Sequence, residues 1–196
     1  MTAIELSSGF AAVSDPSSRV LILGSLPGVM SLQQRQYYAK PQNVFWRIMG
    51  ALFAAGPDLP YAQRTQALLQ AGVALWDVCA SAHRIGSLDS AIKHHAANDF
   101  AKFFSTHPSI ELVCFNGQKA AALYQKSVRG QLPPAKQLLP VSVLPSTSPA
   151  NAGLSYEEKL RTWSSILAAH ASVRRAVTTH SGSAAGGERS STVGSS

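Results

Sequence analysis

The chain has 196 residues, 45% of them hydrophobic, which is enough for one domain that buries over two thirds of its unfolded surface without covalent staples. No run approaches the roughly 18 apolar residues of a membrane span, Met1–Phe10 lacks the basic-then-apolar order of an export signal, and two cysteines cannot make a four-cysteine zinc or iron–sulfur site. A formal charge of +7 and a pI near 9.7 favour a polyanionic partner, although charge alone shifts the odds toward nucleic acid by no more than about twofold.

In chain order, Asp15-Pro16-Ser17-Ser18 reads as a turn that delivers the chain into Val20–Leu23, a continuously apolar strand of the kind buried on both faces of a parallel sheet. An elaborate connection, Gly24 to Trp46, follows. A helix over 44–55 repeats Phe45, Ile48, Met49 and Leu52 on one face and ends at Gly56-Pro57. A second helix over 61–71 stops at Gly72, a left-handed C-cap, before the strand Val73–Val78. His94 and His95 read as a solvated helix face, because adjacent helical side chains diverge instead of converging on a metal. A short helix over 98–106, capped by Asn98, turns Phe100, Phe103 and Phe104 inward until Pro108 interrupts it.

The strand Ile110–Phe115, a helix over 117–127 and the strand Leu138–Leu144 come next. The last helix starts at Ser155, whose spacing to Glu158 fits a capping box, and continues through Leu160, Trp163, Ile166 and Leu167. Strand and helix alternate in βαβ order, which predicts an α/β fold: a three-layer α/β/α sandwich around a central, mainly parallel four-stranded sheet. Residues 1–175 are expected to form a single domain. The Ser-, Gly- and Thr-rich remainder, 176–196, is expected to be a disordered tail whose removal preserves fold and activity. Cys79 and Cys114 are read as reduced core residues of a cytoplasmic protein.

Two connections leave the carboxyl ends of strands, where open α/β sheets bind ligands. In the first, Gly24 and Gly28 let backbone approach a ligand, and Pro27 stiffens a turn whose N–H groups can hold an anion. An ordinary turn is an equally good reading of that segment alone. Asn43 is either the cap of the following helix or a carboxamide that orients water; it cannot be a general base near neutral pH. Tyr37, Tyr38 and Phe45 can stack on a flat ligand or close the core. The second connection, Leu144 to Asn151, sets Ser146, Thr147 and Ser148 between Pro145 and Pro149, which suits phosphate contacts or a capped turn. Asp77 closes its strand as a water activator or a loop cap, and Asn116-Gly117 opens a helix start.

These segments resemble the uracil-DNA glycosylase superfamily. Gly24-Ser25-Leu26-Pro27-Gly28 matches its first motif, Lys40-Pro41-Gln42-Asn43-Val44-Phe45-Trp46 its Asn-containing Phe-Trp segment, and Leu144-Pro145-Ser146-Thr147-Ser148-Pro149-Ala150-Asn151 its DNA-wedging second motif. The adjacent tyrosines and the form of the second loop are most similar to the hypoxanthine-DNA, or deoxyinosine, glycosylase branch. The resemblance spans about residues 18–170 and rests on three motifs in order.

The resemblance implies a monofunctional hydrolase acting on double-stranded DNA that contains a deaminated base. It works as a monomer, without metal or organic cofactor. Asn43 is the implied catalytic residue. Gly24, Ser25, Leu26, Pro27, Gly28, Tyr38, Phe45 and Asn116 bind the flipped nucleotide, and Pro145, Ser146, Thr147, Ser148, Pro149, Ala150 and Asn151 touch DNA. Two departures argue against a conventional uracil enzyme. Leu26 stands where many members place a water-positioning Asp or Asn, and Leu144 stands where many place a histidine. The rivals are a uracil or thymine glycosylase acting opposite guanine and a noncatalytic binder of damaged DNA.

Overall fold

A computed structural model describes residues 5–84 and 92–167. The expected tail at 176–196 lies outside the described residues. Strands β1 (Glu5–Ser8), β2 (Val20–Gly24), β3 (Val73–Asp77), β4 (Cys79–Arg84), β5 (Lys93–Ala97), β6 (Leu112–Asn116) and β7 (Val141–Leu144) form two sheets. Helices α1 (Val29–Gln34), α2 (Phe45–Phe53), α3 (Tyr61–Gln70), α4 (Phe100–Thr106), α5 (Gln118–Ser127), α6 (Pro134–Gln137) and α7 (Tyr156–Trp163) connect and cover them.

The central sheet is parallel, in the order β3-β2-β6-β7. Strands β2, β3 and β6 are largely hydrophobic on successive residues because both faces are covered, whereas the edge strand β7 exposes Val141 and Val143. Leu21, Leu23, Ala74, Val113 and Phe115 pack against Phe100, Phe103 and Phe104 of α4 and Leu123 and Tyr124 of α5. Val20, Ile22, Leu75, Cys114 and Leu144 pack with Phe45, Ile48 and Met49 of α2, Leu68 of α3 and Trp163 of α7. The alternation of partners along each strand is the three-layer sandwich expected from the sequence. Cys79 and Cys114 are buried thiols, and burial pushes that of Cys114 up to about 12.

A second sheet, antiparallel with order β1-β4-β5, is not signalled by the sequence pattern. It grows from the end of β3, where Val78 alone separates two strands, and it places His94 and His95 on a strand instead of the expected helix. Alternation is weak in Cys79–Arg84, and Lys93–Ala97 carries no β-branched or large aromatic residue to signal a strand. The cap of α4 is also one residue later than expected. Asp99 accepts from the Lys102 N–H at 2.9 Å, while the Asn98 amide donates to the Asp77 carbonyl at 2.8 Å. Helix α2 ends at Ala54 in a left-handed conformation, two residues before Gly56. Leu138, expected in the last strand, follows α6 and is exposed, and β7 begins only after Pro140.

The capping box of α7 is present in both directions. Ser155 Oγ accepts from the Glu158 N–H at 3.2 Å, and the Ser155 N–H donates to Glu158 Oε2 at 2.7 Å. These bonds from Ser155 hold the Glu158 carboxyl below its usual range. A depressed acid favours the folded state above its unfolded pKa, and that contribution is lost as pH falls through the folded value. Glu158→Ala is therefore expected to lower Tm by about 2–4 °C at neutral pH, with the gap to wild type closing below about pH 4 in thermal melts.

Candidate active site

The carboxyl ends of β2, β3, β6 and β7 meet at one rim, where Gly24, Asp77, Asn116 and Leu144 end their strands. Gly24 is a glycine by necessity. A Cβ there would collide with Asp77 Oδ1 and lie 3.1 Å from the Tyr38 hydroxyl oxygen. The buried carboxylate and the phenol thus converge over bare backbone. The Val78 and Cys79 N–H groups donate to the carbonyls of Gly24 and Ser25 at 2.9 and 3.0 Å, which fixes the first-motif turn against the end of β3. Asp77 was legible only as a cap or a water activator; the structure adds it to the site.

Ser25, Leu26 and Pro27 are buried, and Gly28 is the half-buried cap of α1 with an ordinary extended φ of −70°. The first motif therefore offers backbone at its Gly28 end, and its middle residues belong to the core. Leu26 and Leu144 are 5% and 2% exposed. Both are packing residues, so neither side chain takes up the water-positioning or leaving-group role of its polar counterpart.

The aromatic residues separate cleanly. Tyr37 is buried: its hydroxyl donates to the Ala11 carbonyl at 3.2 Å and its own carbonyl accepts from Trp46 Nε1 at 2.8 Å. Burial, then the nearby Asp77 charge, pushes its ionisation far upward, so it stays a neutral phenol. Tyr38 is half-buried, with φ of 54°, a left-handed conformation rare for an aromatic residue. Its ring stacks on Phe45 with centroids 3.8 Å apart and planes 22° from parallel. Phe45 is fully buried and also meets Trp46 and Trp163 edge-on. The expectation that Phe45 itself lines the pocket is corrected: it backs Tyr38, which carries the accessible ring.

Asn43 is half-buried at the mouth of α2. Its Oδ1 accepts from the Phe45 N–H at 3.0 Å, so it caps the helix, although the backbone cap is Val44. One acceptor lone pair and the Nδ2 hydrogens make no bond within the described residues. Capping and a role toward a ligand are compatible on this geometry.

The second loop is organised around Thr147, which the sequence suggested would touch DNA. Thr147 is fully buried. Its N–H donates to Asn116 Oδ1 and its Oγ1 accepts from Asn116 Nδ2, each at 2.9 Å, and its carbonyl accepts from the Val44 N–H at 3.2 Å. The hydroxyl faces inward because it completes this two-bond clasp. Asn116, expected to bind the nucleotide, spends its amide on the same clasp. Gly117 has φ of +100°, and a Cβ there would lie 3.0 Å from Ser146 Cβ, so the loop seats directly on glycine backbone.

Asn151 donates from Nδ2 to the Ser146 carbonyl at 3.1 Å, and Trp163 Nε1 donates to the Pro145 carbonyl at 2.9 Å. The nearly buried ammonium of Lys159 donates to the Asn151 carbonyl at 2.7 Å, and loss of hydration pushes its pKa down. What the loop leaves to a partner is half-buried Pro145, Ser146, Ser148 and Pro149 and exposed Ala150. Exposed Arg35, Lys40 and Arg47 flank the first loop and α2. Among the described residues, no group of three or more His, Cys, Asp or Glu side chains converges as a metal site.

A family model described as the uracil DNA glycosylase superfamily matches residues 11–167, which include both loops and the whole central sheet. The chain belongs to the uracil DNA glycosylase superfamily. Over 148 residues it is 39% identical to a hypoxanthine DNA glycosylase of Methanosarcina acetivorans, covering 75% of this chain and 89% of that protein. Over 115 residues it is 41% identical to a hypoxanthine DNA glycosylase of Methanosarcina barkeri, covering 57% and 72%. A solution NMR structure from Methanosarcina acetivorans, described as a candidate uracil DNA glycosylase, superposes with a TM-score of 0.68 at 34% identity. That match covers 87% of this chain and 98% of the other.

Proposed function

We propose that this superfamily member is a monofunctional DNA glycosylase that hydrolyses the N-glycosidic bond of a deaminated base, hypoxanthine foremost, and leaves an abasic site. The supporting observation is that Asn43 is held at the rim beside the Tyr38–Phe45 stack while Leu26 and Leu144 are buried packing residues. The carboxamide is then the half-buried polar side chain we assign to orient water, with the buried Asp77 carboxylate at the same rim as its rival. In this reading, duplex DNA lies across the rim against the exposed side of the second loop, and the base leaves the stack where its pair is weakest. It stacks on the open face of Tyr38, with Phe45 bracing the ring from behind.

Asn43 accepts a hydrogen bond from water and aims its oxygen at C1′. The C1′–N bond breaks as the water oxygen bonds to C1′; the bonding pair leaves with the base, and backbone N–H groups near Ser25–Gly28 offset the charge. The proton released by water ends on the departing base or in solvent. No lysine of the matched motifs is an amine nucleophile in this scheme, so the strand is not cut. The protein acts as a monomer without metal or cofactor.

Uracil is the second reading, because the solved relative is described as a uracil enzyme whereas both curated relatives are named for hypoxanthine. Single-turnover assays on duplexes carrying one inosine, uracil, xanthine or mismatched thymine, scored as alkali-cleavable sites, decide between them. Inosine is expected to be released fastest. Dominant uracil release would replace the base assignment, and release of none would leave damaged-DNA binding.

A further inference from the structure

A second basic surface runs down α5 from the rim, in a cleft of about 470 Å³ between β5 and α5. Its walls are His94, His95, Lys119 and Lys126, and buried Ile92 and Leu123 line its depth. His95 is fixed by a 2.8 Å hydrogen bond between Nε2 and Ser127 Oγ. His94 is exposed at φ of +45°, with its ring 6.3 Å from that of His83. Among the described residues, no carboxylate lines the cleft and none of the four groups forms an ion pair.

Two lysines beside an apolar depth, with no acid among the described lining residues, focus a positive potential. Burial first, then Lys126 and Lys119, lowers the pKa of His95, which therefore stands as a neutral hydrogen-bonding ring at neutral pH. Two ammonium groups without an ion-pair partner among the described residues suit an anion. The spacing says which anion. Lys119 and Lys126 are seven residues apart on one helix, an axial separation of about 10 Å, or roughly the rise of three nucleotides of one DNA strand. Lysines that far apart suit two separate phosphates of one strand, about three nucleotides from each other, better than one small phosphate. The head of α5 is Gly117, on which Ser146 of the second loop sits, so the cleft begins beside the surface assigned to DNA.

We propose that this cleft binds the phosphodiester backbone of the substrate duplex outside the base pocket and extends the footprint down α5. The proposal rests on the DNA reading above but not on the choice of base or on Asn43. Its test is a titration of a long undamaged duplex by fluorescence anisotropy at several salt concentrations, comparing wild type with Lys119→Ala/Lys126→Ala and with the single reversal Lys126→Glu. The magnitude of the log K against log salt slope is expected to fall by about 2 in the double variant, at about 0.9 per phosphate contact. A short duplex that cannot reach the cleft is expected to bind all variants alike. An unchanged slope with both lysines removed overturns the proposal. So does equal loss on short and long duplexes, or competition by inorganic phosphate strong enough to remove the difference between variants. Excision by wild type, measured alongside, reports separately on the glycosylase reading: a changed slope with no excision keeps the cleft and discards the enzyme.

Discussion

Asn43→Ala is expected to lower single-turnover base release by about 10²-fold or more while duplex affinity stays within a few-fold. The difficulty is that the same Oδ1 accepts the Phe45 N–H, so alanine also removes a helix cap, a loss of about 1 kcal/mol. Two further substitutions separate the roles. Asn43→Ser keeps an acceptor for the Phe45 N–H but is too short to hold water against C1′, so it should restore stability and remain inactive. Asn43→Asp keeps both the acceptor and the reach, and should retain cap and measurable excision together. Thermal melts, anisotropy and alkali-cleavage assays on the same three variants give the answer. An active Asn43→Ser protein would assign Asn43 to capping and send the search for the water-holding group to Asp77.

The largest stability effect is expected at the Asn116–Thr147 clasp. Asn116→Ala leaves a buried N–H and a buried hydroxyl without partners, and each such group costs roughly 1–3 kcal/mol. A loss of about 2–4 kcal/mol lowers Tm by roughly 5–15 °C in a domain of this size. Thr147→Val keeps the shape and the backbone bond while removing one acceptor, so it should lose about half as much. Base release should fall in both variants even well below their melting temperatures, because the Thr147 carbonyl also anchors the Val44 N–H beside Asn43. Full activity in a destabilised Asn116→Ala protein would show that the clasp serves folding alone.

The central sheet was legible because fully buried parallel strands leave a plain signature of continuous apolar runs separated by helical periodicity. Ser155 and Glu158 announced α7 for the same reason: local hydrogen-bonding chemistry decides that helix start, and tertiary context adds little. The antiparallel sheet was not legible, since Cys79–Arg84 and Lys93–Ala97 owe their strand state to pairing with each other and with Glu5–Ser8 across long sequence separations. At the rim, motif order located both loops and singled out Asn43. It could not say which way side chains turn. Thr147 looks like a phosphate-contacting hydroxyl between two prolines, yet it is the buried centre of its loop; Phe45 looks like a stacking platform, yet Tyr38 covers it. Residue type is shared by the two roles in each case, and only the direction of the side chain distinguishes them.

The bond from Val44 N–H to the Thr147 carbonyl joins two mechanical tasks. One arm of the joint lies in the loop assigned to push into the double helix, and the other carries the amide assigned to aim the attacking water. In the proposed mechanism a displacement of the loop is therefore also a displacement of that amide. Such an arrangement would link search to chemistry: under the proposed function, the strain that a duplex puts on the loop reaches the water-aiming amide through a single backbone bond.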